Sequence, residues 1–192
     1  MTQTLVRTID VAPQTWRNGG GATRELLAWP GAADWRVRVS VADIEADGPF
    51  STFPGVQRWF AVLKGPGVLL DIAGRPHLLT RNDPPLCFDG AAATECRLID
   101  GPTRDLNLML RDATGLMQIA DDGQTWESRA MKCGLFTAVA GRCSAGGIDI
   151  AVPAYALLWF DAAPALLVFT ASERPAAAIG WWLAATPSQG KP

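Results

Sequence analysis

The residues able to do chemistry gather in three short segments of the first 111 positions. The first is Trp16-Arg17-Asn18-Gly19-Gly20-Gly21-Ala22-Thr23-Arg24-Glu25. Three consecutive glycines maximise chain entropy, so a fold keeps them where backbone passes close to a neighbour or takes a positive φ. They mark either a tight crossing at a sheet edge or a loop whose amides, with Asn18, Thr23 and Arg24, line a pocket. The second segment is Asp47-Gly48-Pro49-Phe50-Ser51-Thr52-Phe53-Pro54-Gly55-Val56-Gln57-Arg58. Its two phenylalanines read as a staple holding a long loop on the core, and Arg58 opens the apolar run Trp59-Phe60-Ala61-Val62-Leu63. A charge there faces either the rim or the interior; in the interior it needs an anion, because an unpaired buried guanidinium is costly. The third, Asp105-Leu106-Asn107-Leu108-Met109-Leu110-Arg111, alternates so that Asp105, Asn107, Met109 and Arg111 share one face, either solvated or lining a cavity. Two chemistries fit these residue types. Arginine forks recognise carboxylates, and Glu25 or Asp105 are candidates for acid–base work beside them.

Other chemistries are excluded by what is missing. One histidine, His77, stands in the whole chain, so a metal site built on two or three imidazoles cannot form within it. His77 follows Pro76 and reads as an edge or turn residue. The cysteines Cys87, Cys96, Cys133 and Cys143 include no Cys-x-x-Cys pair, which argues against a zinc ribbon. No metal and no cofactor is expected. There is no Gly-Lys-Ser/Thr for a P-loop and no Gly-x-Ser-x-Gly for a hydrolase elbow. A formal net charge of −2 gives no reason to expect nucleic acid or an anionic membrane as the partner. Arginine outnumbers lysine 14 to 3, which suits planar carboxylate recognition or reflects genome composition. Of those arginines 11 precede residue 112, which points to the first half as the site-bearing one.

The elements that must hold these segments are strands. Turn signals such as Pro30-Gly31, Asp47-Gly48-Pro49, Gly65-Pro66-Gly67, Gly74-Arg75-Pro76 and Gly146-Gly147 recur at close intervals, with period-two runs between them. Trp35-Arg36-Val37-Arg38-Val39-Ser40-Val41 puts Trp35 and three valines on one face and Arg36, Arg38 and Ser40 on the other. Such spacing predicts an antiparallel sandwich or barrel. The apolar stretch Ala151 to Ala171 is broken by Pro153, Asp161 and Pro164, and predicts strands Tyr155–Phe160 and Ala165–Phe169 rather than a membrane helix. A faint internal echo matches Phe60-Ala61-Val62-Leu63-Lys64-Gly65 with Phe136-Thr137-Ala138-Val139-Ala140-Gly141, and Phe88-Asp89-Gly90 with Phe160-Asp161-Ala162. It suggests a duplicated β-unit, with the halves meeting near 112–125.

Taken in order, the three segments together with Trp35-Arg36-Val37 and Phe88-Asp89-Gly90 resemble the HutD/Ves family. The resemblance implies an all-β bicupin: two cupin-like antiparallel β-barrels or sandwiches packed in one chain, residues 1–112 carrying the motifs and 113–192 following, with strands shared between them. Trp181-Trp182 would then cover the second barrel. The resemblance also implies a cytoplasmic bacterial protein tied to histidine utilisation or to stress responses, and it brings no established enzymatic activity. The usual cupin metal ligands are absent, so metal-dependent cupin chemistry does not transfer. Asp112 stands where many relatives carry a second arginine.

The expectation is therefore a metal-independent binding protein, regulatory in role, whose cavity takes a small anionic metabolite through Asn18, Thr23, Arg24, Arg58, Asn107 and Arg111. Formylglutamate and urocanate are candidates by family analogy. The alternative is a metal-independent enzyme acting on a small carboxylate or sugar-like substrate through Glu25 or Asp105. A protein-interaction module resting on exposed tryptophans is a third reading. An oligomer is compatible with all three. The first thirteen residues lack a basic region followed by an apolar core, so no signal peptide is expected.

Overall fold

The computed structural model describes residues 2–173 and 177–188; residues 1, 174–176 and 189–192 lie outside the described residues. In chain order the strands are β1 (Gln3–Arg7), β2 (Gln14–Thr15), β3 (Gly21–Trp29), β4 (Val37–Ile44), β5 (Gly48–Pro49), β6 (Val56–Lys64), β7 (Val68–Ile72), β8 (Arg75–Leu79), β9 (Leu86–Asp89), β10 (Thr94–Leu98) and β11 (Thr103–Arg111). They continue as β12 (Ala113–Ile119), β13 (Thr125–Glu127), β14 (Lys132–Thr137), β15 (Gly141–Ala145), β16 (Ile148–Val152), β17 (Ala156–Phe160), β18 (Leu166–Ala171) and β19 (Gly180–Pro187). Apart from one 3-10 turn at Thr8–Asp10, the described chain is β-structure, turns and loops.

Two compact units result. One is Ala12–Asp112; the other comprises the described residues of Met1–Val11 and Ala113–Pro192. The first residues join the second unit because β1 pairs antiparallel with β17, from Gln3 opposite Phe160 to Arg7 opposite Ala156. The strands do not close into barrels. The Ala12–Asp112 unit has an open six-stranded sheet, β2-β3-β4-β11-β6-β9, and an open four-stranded one, β5-β10-β7-β8. The other unit has β1-β17-β14-β19-β12 and β13-β18-β15-β16.

A repeat is written into these orders. Adding eight to each strand number converts β4-β11-β6-β9 into β12-β19-β14-β17, and β5-β10-β7-β8 into β13-β18-β15-β16. The sequence echo falls on corresponding strands but not in register throughout. Phe60 lies in the core between the two sheets of its unit. Phe136 packs on Trp181 instead, outside the core cluster of its own unit. A one-residue offset along a strand sends a side chain to the opposite face. Phe88 and Phe160 do both pack on the cores of their units.

Each core follows from period-two alternation. In the first unit Ile44 of β4 and Phe60 and Val62 of β6 meet Val68, Leu70 and Ile72 of β7 and Cys96 of β10. Full burial of side chains of this size stabilises by roughly 1.5–3 kcal/mol each. The opposite face of the six-stranded sheet is apolar too, with Val37, Val39, Val41, Leu106 and Leu108 fully buried. In the second unit Leu135, Leu158 and Phe160 meet Cys143, Leu167 and Phe169, and the rings of Trp126 and Trp182 stack parallel at 5.0 Å. The strands expected at 155–160 and 165–169 are β17 and β18, which lie in different sheets of that unit. His77, expected at an edge or in a turn, sits opposite Leu70 in β8, the edge strand of the four-stranded sheet. None of the described helices is long and apolar enough to cross a membrane.

The glycine run leads from β2 into β3. Gly19 has φ +71°, the left-handed region that glycine adopts without penalty. At Gly21 the need is space: a Cβ there would lie 2.2 Å from the Asp43 carbonyl oxygen and 3.1 Å from the Trp16 ring. At Gly20 the nearest atom would be the flexible Asn18 side chain at 3.4 Å. Gly21→Ala should therefore lower stability by about 1–3 kcal/mol, whereas Gly20→Ala should stay within about 0.5 kcal/mol. Urea unfolding midpoints of the two variants check this; equal destabilisation would remove the close-approach explanation.

Candidate functional site

A cavity of about 510 Å³ opens on the six-stranded sheet of the Ala12–Asp112 unit. Register explains its polar floor. β11 lies between β4 and β6, with Met109 opposite Arg38 and Arg58, Asn107 opposite Ser40 and Phe60, and Asp105 opposite Ala42 and Val62. Arg38, Ser40, Arg58, Asp105, Asn107 and Met109 line the cavity. Directly opposed residues on one face lie about 4.5–5.5 Å apart at Cβ. One strand register thus brings two arginines, an amide and a carboxyl together. The loop between β5 and β6 covers part of this floor with Phe50 and Phe53, and the β2 hairpin adds Trp16, Arg17 and Asn18.

Arg58 dominates the site. Its side chain is 7% exposed. The guanidinium carbon lies 5.2 Å from the Phe50 ring centroid, 5.7 Å from Phe53 and 5.1 Å from Phe88. Such cation–ring contacts are worth about 0.5–2 kcal/mol each. One terminal nitrogen donates to Asn107 Oδ1 at 3.0 Å. The Nε is buried and has no hydrogen-bond partner among the described residues, and no described carboxylate forms an ion pair with the group. Burial lowers its pKa to about 10, partly offset by the charge of Asp105, so it is a cation at neutral pH.

Asn107 is oriented from both ends, because its Nδ2 donates to Asp105 Oδ1 in a short hydrogen bond. Asp105 is 1% exposed. Burial pushes its carboxyl up to about 8, against the opposing pull of the Arg58 charge and the Asn107 hydrogen bond. At neutral pH it is mostly protonated, and the positive charge of Arg58 is left without a local counter-charge. Arg38 differs: its Nε donates to Glu25 Oε2 at 2.6 Å, and another nitrogen lies 3.7 Å from Met109 Sδ.

Of the six residues expected to bind a ligand, Asn18, Thr23, Arg58 and Asn107 line the cavity. Asn18 also accepts the Gly20 backbone N–H at 3.0 Å, and the Thr23 hydroxyl accepts the Trp16 indole N–H at 2.8 Å. Arg24 and Arg111 are not brought to it. Arg24 neighbours Thr23 on β3 and so points to the other face, where it donates to Asp43 at 2.7 Å; Arg104 holds the other Asp43 oxygen at 2.6 Å. Arg111 ends β11 and stacks its guanidinium 4.3 Å from the Trp35 ring centroid. Of the two acid–base candidates, Asp105 faces the cavity, and Glu25 reaches it only through Arg38. Sequence reasoning missed Arg38, Trp16 and Phe50 as lining residues, while Met109 lies on the face it offered as cavity lining. The Arg36-Arg38-Ser40 alternation carried the signal for Arg38. Among the described residues no group of three or more His, Cys, Asp or Glu gathers as a metal site.

The chain is similar to an uncharacterized 21.2 kDa protein in the hutC 3′ region of Pseudomonas putida, 38% identical over 107 residues, 55% of this chain and 56% of that one. It is 40% identical over 99 residues to the protein Ves of Citrobacter koseri, covering 50% and 51% of the two chains. The matched stretches thus span about half the length of these relatives. Among solved structures, a conserved protein of unknown function from Pseudomonas aeruginosa matches with a TM-score of 0.85 and 27% identity over 97% of this chain and all of that one. HutD from Pseudomonas fluorescens, solved in a formate condition, matches with a TM-score of 0.80 and 27% identity over 98% of this chain and all of that one. Salicylate 1,2-dioxygenase from Pseudoaminobacter salicylatoxidans, at 8% identity and a TM-score of 0.62 over 95% of this chain and 80% of that one, shares the cupin-like fold alone. The HutD family model matches residues 8–176, and the chain belongs to the HutD family.

Proposed function

We propose that the cavity of the Ala12–Asp112 unit binds a small anionic metabolite through Arg58, without metal, and that the protein serves a regulatory rather than a catalytic role in the bacterial cytoplasm. Arg58 carries this reading. A buried guanidinium without a carboxylate partner is costly, since each unmet charge–water interaction must be replaced. Here three rings and one amide meet part of that need, and the guanidinium lines the cavity, where a ligand anion would meet it. A carboxylate would supply the missing charge and a charge-assisted hydrogen bond. A buried cation in the lining selects for negative charge.

The relative from the hutC 3′ region and the HutD structure support a link to histidine utilisation. Formylglutamate and urocanate are the ligands to try first, with formate as the minimal carboxylate. Ves supports the alternative link to stress responses. We read the chain as a bicupin, on the strength of the strand order repeated with an offset of eight. The second unit fills its inner face with Trp126, Trp182 and Leu135, which makes it scaffold.

One observation favours a second reading, a metal-independent enzyme. A carboxyl with its pKa near 8 beside a buried cation suits general acid–base work. Turnover of formylglutamate in the presence of EDTA, lost in Asp105→Asn, would establish it; unchanged substrate after prolonged incubation would exclude that substrate.

Arg58→Ala should weaken carboxylate binding about 10- to 100-fold, the range of one or two hydrogen bonds to a charged group, while thermal unfolding stays cooperative. Calorimetry with formylglutamate, urocanate and formate tests it, and no binding by the unaltered protein at millimolar ligand would sink the proposal. Arg24→Ala and Arg111→Ala should each leave the affinity within about twofold, as for substitutions outside a site. A loss matching that of Arg58→Ala in either variant would contradict the cavity as drawn.

A further inference from the structure

We propose that the cavity binds its anion only with Asp105 protonated, so that Asp105 sets the pH range in which the site works. The inference rests on the cavity being an anion site, as proposed above. Its geometry is a shared cation. Arg58 and Asp105 lie on adjacent strands of the cavity floor and are joined through a single side chain. Asn107 accepts from Arg58 with its oxygen and donates to Asp105 with its nitrogen. Asp105 is 1% and Arg58 7% exposed, so water screens their interaction little.

The groups around Asp105 offer it no second positive charge. Directly across from it stand Ala42 and Val62. From β6 comes Arg58. On the far face of β4, Asp43 is negative and adds its own repulsion, with Arg24 and Arg104 bound to its two oxygens. From β10 comes the Cys96 thiol, pushed up to about 12 chiefly by burial and so neutral. Arg38, which also lines the cavity, is paired with Glu25, and Arg17 lies among the lining residues.

A ligand carboxylate on Arg58 and an ionised Asp105 would therefore place two negative charges around one buried cation. Like charges sharing a site force one of them to stay protonated. The ligand carboxylate arrives ionised, so the proton goes to Asp105: an O–H bond forms at one carboxyl oxygen, and the proton comes from solvent. Below pH 8 Asp105 already holds that proton and binding is independent of pH. Above it the proton must be taken up, and the binding constant falls as the proton concentration falls. Arg58 and Cys96, at about 10 and about 12, do not account for a change beginning near 8.

The test is calorimetry of formylglutamate binding between pH 6 and pH 9, in two buffers of different ionisation enthalpy, on the unaltered protein and on Asp105→Asn. The probe's carboxyls stay ionised throughout this range. The unaltered protein is expected to bind with a constant affinity from pH 6 to about 7, then to lose about tenfold per pH unit above 8. Proton uptake should rise from near zero at pH 6 towards one per ligand at pH 9. Asp105→Asn should bind with level affinity and no proton uptake. An unchanged fall in Asp105→Asn, or a level affinity without proton uptake in the unaltered protein, would overturn the inference and leave the anion site standing. Absence of binding at pH 6 would overturn the anion site and the inference with it. Should Asp105→Asn fail to fold, the two-buffer measurement on the unaltered protein decides alone.

Discussion

The unit Ala12–Asp112 is organised around a guanidinium that is buried without an ion pair to any described carboxylate. Removing a cation from water costs several kcal/mol even after relaxation, and Arg58 recovers part of this from three phenylalanine rings and the Asn107 oxygen. The loop between β5 and β6 supplies Phe50 and Phe53, while β9 supplies Phe88 by pairing with β6. Asn107 can serve Arg58 because β11 runs between β4 and β6 in a register that alternates apolar and polar faces. Asp105 cannot serve as a full counter-ion, because the same burial that strands Arg58 raises the carboxyl to about 8. The cavity is the consequence: a space lined by a buried cation.

The two units share one topology but differ in what lines it. The strand orders correspond under the offset of eight, and each unit buries a core between an open larger sheet and an open four-stranded one. The difference lies in the inward positions of the larger sheet. In the first unit they carry Arg38, Ser40, Arg58, Asp105 and Asn107 next to Phe60 and Val62. In the second they carry Leu135, Leu158, Phe160 and Trp182, with Trp126 stacked on Trp182 from the other sheet. Large apolar side chains fill the volume that the first unit leaves open.

The strands were legible in the sequence because period-two alternation and turn residues mark them directly, as in Val37 to Val41 and Asp105 to Met109. Arg58 was legible as a charge opening an apolar strand, although its surroundings were not. Arg24 and Arg111 lie outside the cavity for separate reasons. Arg24 sits one position from Thr23, and a single step along a strand reverses the face; Asp43, far away in sequence, then decides its partner. Arg111 keeps the alternation of β11 but stands at its last residue, where Trp35 is the nearer partner. Arg38 went unassigned because alternation alone does not say which face of a sheet is the cavity. Barrels or sandwiches were both open from sequence, and the sheets prove open; hydrogen bonding between edge strands leaves no mark in residue type.

The absence of histidine pairs shapes the chemistry left to this scaffold. With one histidine in the chain, this cupin-like fold has an open, ring-lined cavity whose buried cation is Arg58. In the proposed function, anion recognition depends on that side chain and on the protonation of its neighbour. The most direct measurement is a crystal structure grown with formylglutamate near pH 7, where Asp105 is mostly protonated. The expected result is a ligand carboxylate within about 2.7–2.9 Å of the Arg58 guanidinium, with Asn107 still bridging Arg58 and Asp105. A cavity without ligand, or a ligand bound away from Arg58, would contradict it.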